Sequence, residues 1–142
     1  MNAIAFLDCA RNYANQPTEA DWRSAISRAY YAVFHHFREW FASKGLKLGN
    51  AAQAHSNLHL GLLNCGIAGL QTIESQIDDL RQTRTFADYD LWKNILRSDA
   101  RVAVDLADKI LSTFLTVLQS AASQQIVGRV RQYLVSIGRI TP

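Results

Sequence analysis

The chain has 142 residues, 49 % apolar and 19 % charged, with two prolines, seven glycines and a formal net charge of +3. That is one domain's length, able to bury about two-thirds of its unfolded surface, and the composition excludes a disordered, fibrous or linker-like protein. The charge is mild, but eleven arginines against four lysines is a mix suited to bidentate phosphate contacts as much as to a simple compositional bias.

The elements read as helices throughout. Apolar spacing at Ile4, Leu7, Ala10 and Tyr13 predicts a first helix over 2–15, broken at Asn15-Gln16-Pro17. Thr18 to Asp21 resembles a capping box and opens a second helix reaching about Ser43, with an inward stripe of Trp22, Ile26, Tyr30, Val33, Phe34, Phe37 and Phe41. Gly45 is its natural stop. A third helix is expected over Ala51 to Asn64. A fourth carries Leu70, Ile73, Ile77 and Leu80, and its pattern fails around Phe86 to Asp90. A fifth starts at about Trp92 or Ser98 and runs to Ser120, with Ile95, Val102, Leu106, Ile110, Phe114, Val117 and Leu118 as its apolar residues. The expected architecture is all-α, an antiparallel bundle of four to five helices. Residues 121–142 form a basic C-terminal segment, either a helix docked on the bundle or an arm for nucleic acid.

The apolar run Ile110 to Leu118 is too short to cross a bilayer, and the start lacks a basic leader, so a cytoplasmic protein with no membrane contact is expected. Cys9 and Cys65 have no metal or redox spacing and read as buried thiols. No Gly-rich phosphate loop, nucleophile elbow or dinucleotide fingerprint occurs. His55 and His59 stand at i and i+4, but no Glu or Cys completes a ligand set, so neither a metal nor another cofactor is expected.

Two clusters carry candidate chemistry. Continuing the stripe Leu70, Ile73, Ile77, Leu80 by four residues reaches Arg84, a charge where an apolar residue belongs. Either the helix leaves the core there or Arg84 faces a cleft or an interface. Asp88 follows one turn on, then Tyr89. A guanidinium beside a carboxylate and a phenol suits phosphate binding and proton handling; an i,i+4 ion pair of about 0.2–0.5 kcal/mol accounts for the same spacing. In the second cluster Arg28, Tyr31 and His35 share one face of the second helix, lining a site or capping the edge of the core.

Two stretches together resemble the HEPN-domain family: Ser24 to Phe37, reading SAISRAYYAVFHHF, and Leu80 to Asp90, reading LRQTRTFADYD. The resemblance covers about residues 1–120 and points to small prokaryotic members of the toxin and nucleotidyltransferase-associated type. It implies a helical bundle, usually a homodimer. It also implies either a metal-independent ribonuclease, with an Arg and a later His brought together across the dimer, or a binding and assembly module that has lost that motif. Arg84 matches the motif arginine. Tyr89 stands where the histidine would be, and no histidine follows His59.

Two functions stay open. A dimeric module of a toxin–antitoxin or defence-type system would bind a nucleotide, RNA or a nucleotidyltransferase-type antitoxin. An endoribonuclease toxin would use Arg84 with a non-standard base. Candidate catalytic residues are Arg84, Asp88 and Tyr89. Candidate binding residues are Arg28, Tyr31, His35, Arg81 and His55.

Overall fold

The computed structural model describes every residue from Met1 to Pro142 and contains six helices and no strand. They are α1 (Ile4–Ala14), α2 (Glu19–Ser43), α3 (Ala51–Asn64), α4 (Leu70–Tyr89), α5 (Arg97–Ser120) and α6 (Ser123–Ser136). The helix count exceeds the expected four to five because the C-terminal segment supplies α6. No helix is long and apolar enough to cross a membrane.

Local chemistry explains the ends. Thr18 and Asp21 form a reciprocal capping box: the Asp21 amide donates to Thr18 Oγ1, and the Thr18 amide to Asp21 Oδ2, both at 3.2 Å. Asn50 Oδ1 caps α3 by accepting from the Gln53 amide at 3.0 Å. Gly45 closes α2 at φ +86°, and the Leu46 amide reaches back to the Phe41 carbonyl at 2.9 Å.

The sequence pattern misplaces several details. α4 does not fail at Phe86 but stays helical to Tyr89, because its last carbonyls find a partner described below. α5 starts at Arg97, next to the later of the two expected starts, Ser98, and not at Trp92; there the Leu96 amide donates to Asp99 Oδ2 at 2.8 Å. Val102 is 64 % exposed, not core. The buried face of α5 runs through Ala100, Ala103, Ala107, Ile110, Phe114 and Val117, so small alanines occupy places that a search for large side chains overlooks. Ile4 is likewise exposed while Ala3, Leu7, Ala10 and Ala14 are buried.

The chain divides into two compact units. The first is Met1–His36 with Gln76–Leu111. Its core holds Leu7, Ile26, Tyr30, Val33, Phe34, Ile77, Leu80 and Ala107, and Arg11 ties α1 to α5 through Asp108 at 2.6 Å. The second is Phe37–Ser75 with Ser112–Pro142. There Phe37 and Trp40 pack on Phe114, with ring centroids 4.5 and 5.1 Å away. α6 packs on α3 with Ile126, Val127, Val130 and Leu134 buried. The approach is close: a Cβ on Gly61 of α3 would lie 2.7 Å from Val130 Cγ1, so only glycine fits without a shift.

Candidate functional site around Arg84

Arg84 lies in the last turns of α4, and its side chain is only 13 % exposed. Its guanidinium carbon stands 5.1 Å from the Tyr30 ring centroid and 5.6 Å from that of Tyr31. Its Nε is buried with no hydrogen-bond partner. Asp88 Oδ2 is 3.7 Å from Nη1, an ion pair too long for a hydrogen bond. Asp88 instead accepts from the Ser27 hydroxyl at 3.2 Å. Arg97 also has an unmet Nε, but its Nη2 donates to the Gln16 carbonyl at 3.2 Å. Arg84 is therefore a nearly buried cation held by ring faces, with donor capacity unspent. Buried unmet donors are costly, and an anion presented to them would relieve that cost.

The first unit gathers several of the other candidates nearby. Tyr31 and His35 have ring centroids 5.8 Å apart, and His35 also packs on Phe6 at 5.1 Å. Arg28 is exposed and lies over the Phe6 ring at 5.6 Å. Arg81 is exposed and pairs with Asp78 at 2.9 Å. Tyr89, the last residue of α4, is 71 % exposed. His55 belongs to the second unit, where it is half-buried on α3; His59, in the same unit, meets Glu74 through Nδ1.

Burial pushes the Tyr30 phenol up to about 12, against the lowering influence of the Arg84 and Arg81 charges. It stays protonated at neutral pH, and Arg84 meets it over the ring face.

Sequence reasoning missed Arg23. Its side chain is 12 % exposed and donates to the carbonyls of Phe86, Ala87 and Asp90 at 2.9 to 3.4 Å, and also to that of Lys93. The Glu19 carboxylate accepts from its Nε and Nη2 at 3.0 and 2.8 Å and from the Ile95 amide at 3.3 Å. The last carbonyls of a helix lack intrahelical donors, and Arg23 supplies them. This explains why α4 persists to Tyr89 and where Arg84 and Asp88 are held. A signal was present: Arg23, Ser27, Tyr30 and Tyr31 lie on one helical face of α2.

Beyond the cluster, Phe86, Tyr89, Leu91, Trp92 and Leu96 are exposed on the end of α4 and the loop to α5. Lys93 Nζ lies 3.3 Å from the Phe86 centroid.

The fold and the site define an all-helical protein whose distinguishing group is a nearly buried arginine on a tyrosine pair. The chain belongs to the HEPN family: the family model described as HEPN domain matches residues 2–117. No curated protein matches the chain, and no solved structure does.

Proposed function

We propose that this chain is a dimeric HEPN module that binds a phosphate group of RNA or of a nucleotide at Arg84, within a toxin–antitoxin or defence-type system. Residues 1–120 form the HEPN body and 121–142 a docked basic helix. The observation that carries the reading is the Arg84 guanidinium, nearly buried on Tyr30 and Tyr31 with its Nε unpartnered. Tyr31, His35, Arg28 and Arg81 flank it as binding residues. His55 on α3 is kept as a binding candidate. The exposed Phe86, Tyr89, Leu91 and Trp92 give a self-associating or antitoxin-binding face of the kind that monomers seldom leave open.

A second reading, an endoribonuclease, is supported by Asp88. Its carboxylate lies beside Arg84 and is shared with the Ser27 hydroxyl, an arrangement able to take a 2′-hydroxyl proton while Arg84 meets the developing phosphorane charge. Tyr89 stands in the motif position with its side chain 71 % exposed.

The test is a metal-free cleavage and binding assay on tRNA and mRNA with wild type, Arg84→Ala, Asp88→Asn and Tyr89→Phe. RNA bound but uncut by wild type, and released by Arg84→Ala, supports the binding module. Cleavage abolished by both Arg84→Ala and Asp88→Asn supports the nuclease. Arg84→Ala that binds and cleaves as wild type does overturns both.

A further inference from the structure

The charge of this chain is unevenly placed. Residues 1–36 and 76–111 carry nine Lys or Arg against ten Asp or Glu, a net of −1. Residues 37–75 and 112–142 carry Arg38, Lys44, Lys47, Arg129, Arg131 and Arg139 against Glu39 and Glu74, a net of +4. Glu74 is 6 % exposed and meets His59, so Glu39 is the one exposed acidic side chain in that unit.

Of these cations, Lys44, Arg129 and Arg131 line clefts along α6. One cleft of about 480 Å³ is lined by Ser43, Lys44, Gln124, Val127, Gly128 and Arg131. Arg131 is held there by donating to the Gly45 carbonyl at 3.0 Å. A second, of about 270 Å³, is lined by Asn64, Cys65, Arg129, Gln132, Tyr133 and Ser136. A Cβ on Gly128 would meet no atom within 4 Å, so the outer face of α6 is open.

We propose that α6 with the loop after α2 forms a track for the sugar-phosphate backbone of single-stranded RNA. Lys44, Arg129 and Arg131 meet phosphates, and Tyr133 offers a ring to a base. The charge balance selects a polyanion. Amide and hydroxyl groups of Asn64, Gln132 and Ser136 beside one aromatic ring suit base edges and stacking. Ile126, Val127, Val130 and Leu134 of α6 are spent on the core, which leaves no hydrophobic stripe to lay on a bilayer. The inference takes from the proposed function only the ligand class; α6 lies beyond the residues matched to the family.

The experiment is fluorescence anisotropy of a labelled single-stranded RNA across a salt series, with folding checked by thermal melts. Lys44→Gln/Arg129→Gln spares the Arg131–Gly45 bond. Its salt slope should fall by about 1.4, at about 0.7 for each phosphate of a single strand that is no longer neutralised. Its affinity at moderate salt should drop about tenfold or more, because two phosphates go unmet. Arg101→Gln/Lys109→Gln removes the same charge from the other unit and should leave the slope in place. Equal losses in the two double variants would overturn the track in favour of net charge alone. An unchanged slope in Lys44→Gln/Arg129→Gln overturns it too. If only Arg84→Ala weakens binding, the track is overturned while the reading of Arg84 stands.

Discussion

Arg84 lies over Tyr30 at 5.1 Å, and the phenol beneath it is 2 % exposed. The pair sets a cation on the edge of the aromatic core without giving its Nε a partner. Cation–π contact contributes about 0.5–2 kcal/mol, and an unmet buried donor costs about 1–3 kcal/mol. The two nearly cancel. Arg84→Met should therefore leave the unfolding free energy within about 1 kcal/mol of wild type or raise it, as apolar replacements of buried charges often do. A loss above about 3 kcal/mol, the size seen when a needed buried partner is removed, would show Arg84 to be structural.

Arg23 is its opposite, a cation whose donors are spent on carbonyls at the end of α4 and in the loop beyond. Arg23→Ala should cost about 3 kcal/mol, since hydrogen bonds to charged groups contribute about 1.5–3 kcal/mol each and several vanish together. Arg23→Lys should recover little of it, because an ammonium cannot reproduce the planar fork. Chemical denaturation of the three proteins decides this.

Glu19 carries a pH signature. The hydrogen bond from Arg23, then that from the Ile95 amide, holds its carboxyl below the usual value. A lowered folded-state value adds stability above the unfolded value, and that stability is lost as pH falls through the folded one. Wild type should thus melt above Glu19→Gln at pH 7, and the gap should close below about pH 4, under the ordinary glutamate value. A gap that does not narrow as pH falls below the ordinary glutamate value would remove the ionic explanation.

The contact of Gly61 with Val130 is testable by a double-mutant cycle. Gly61→Ala gains about 1 kcal/mol of helix propensity but forces a Cβ to 2.7 Å from Val130 Cγ1, and overpacking costs about 1–3 kcal/mol. Paired with Val130→Ala, the clash disappears. Coupling of about 1 kcal/mol or more between the two sites is expected; additive effects would mean that α6 does not press on α3 there.

Tyr89→His places a histidine at the motif position while changing a side chain that is 71 % exposed, so stability should move by less than about 0.5 kcal/mol. Under the binding-module reading, this variant gains metal-free RNA cleavage and loses it again when combined with Arg84→Ala. A folded but inactive Tyr89→His would show that the missing histidine is not the sole lesion.

Much of the fold was legible because large apolar residues recur at helical spacing: Tyr30, Phe34, Phe37 and Phe41 are all buried, and α3 has the bounds expected of it, Ala51 to Asn64. The buried face of α5 was not, since alanines carry no strong hydrophobic signal. The anomaly at Arg84 was visible as a broken stripe. What it rests on was not, because Tyr30 reads as core whether or not a guanidinium covers it. Arg23 was hidden for a different reason: its partners are main-chain carbonyls more than sixty residues away, and a carbonyl has no letter in a sequence.

That same property makes the anchor indifferent to what it holds. Arg23 grips backbone oxygens, so the side chains at Leu91 and Trp92, both more than three-quarters exposed, can be exchanged without loosening it. The loop between α4 and α5 is thus a stretch of exterior that descent can rewrite freely, one partner after another, while the arginine beneath keeps the scaffold unchanged.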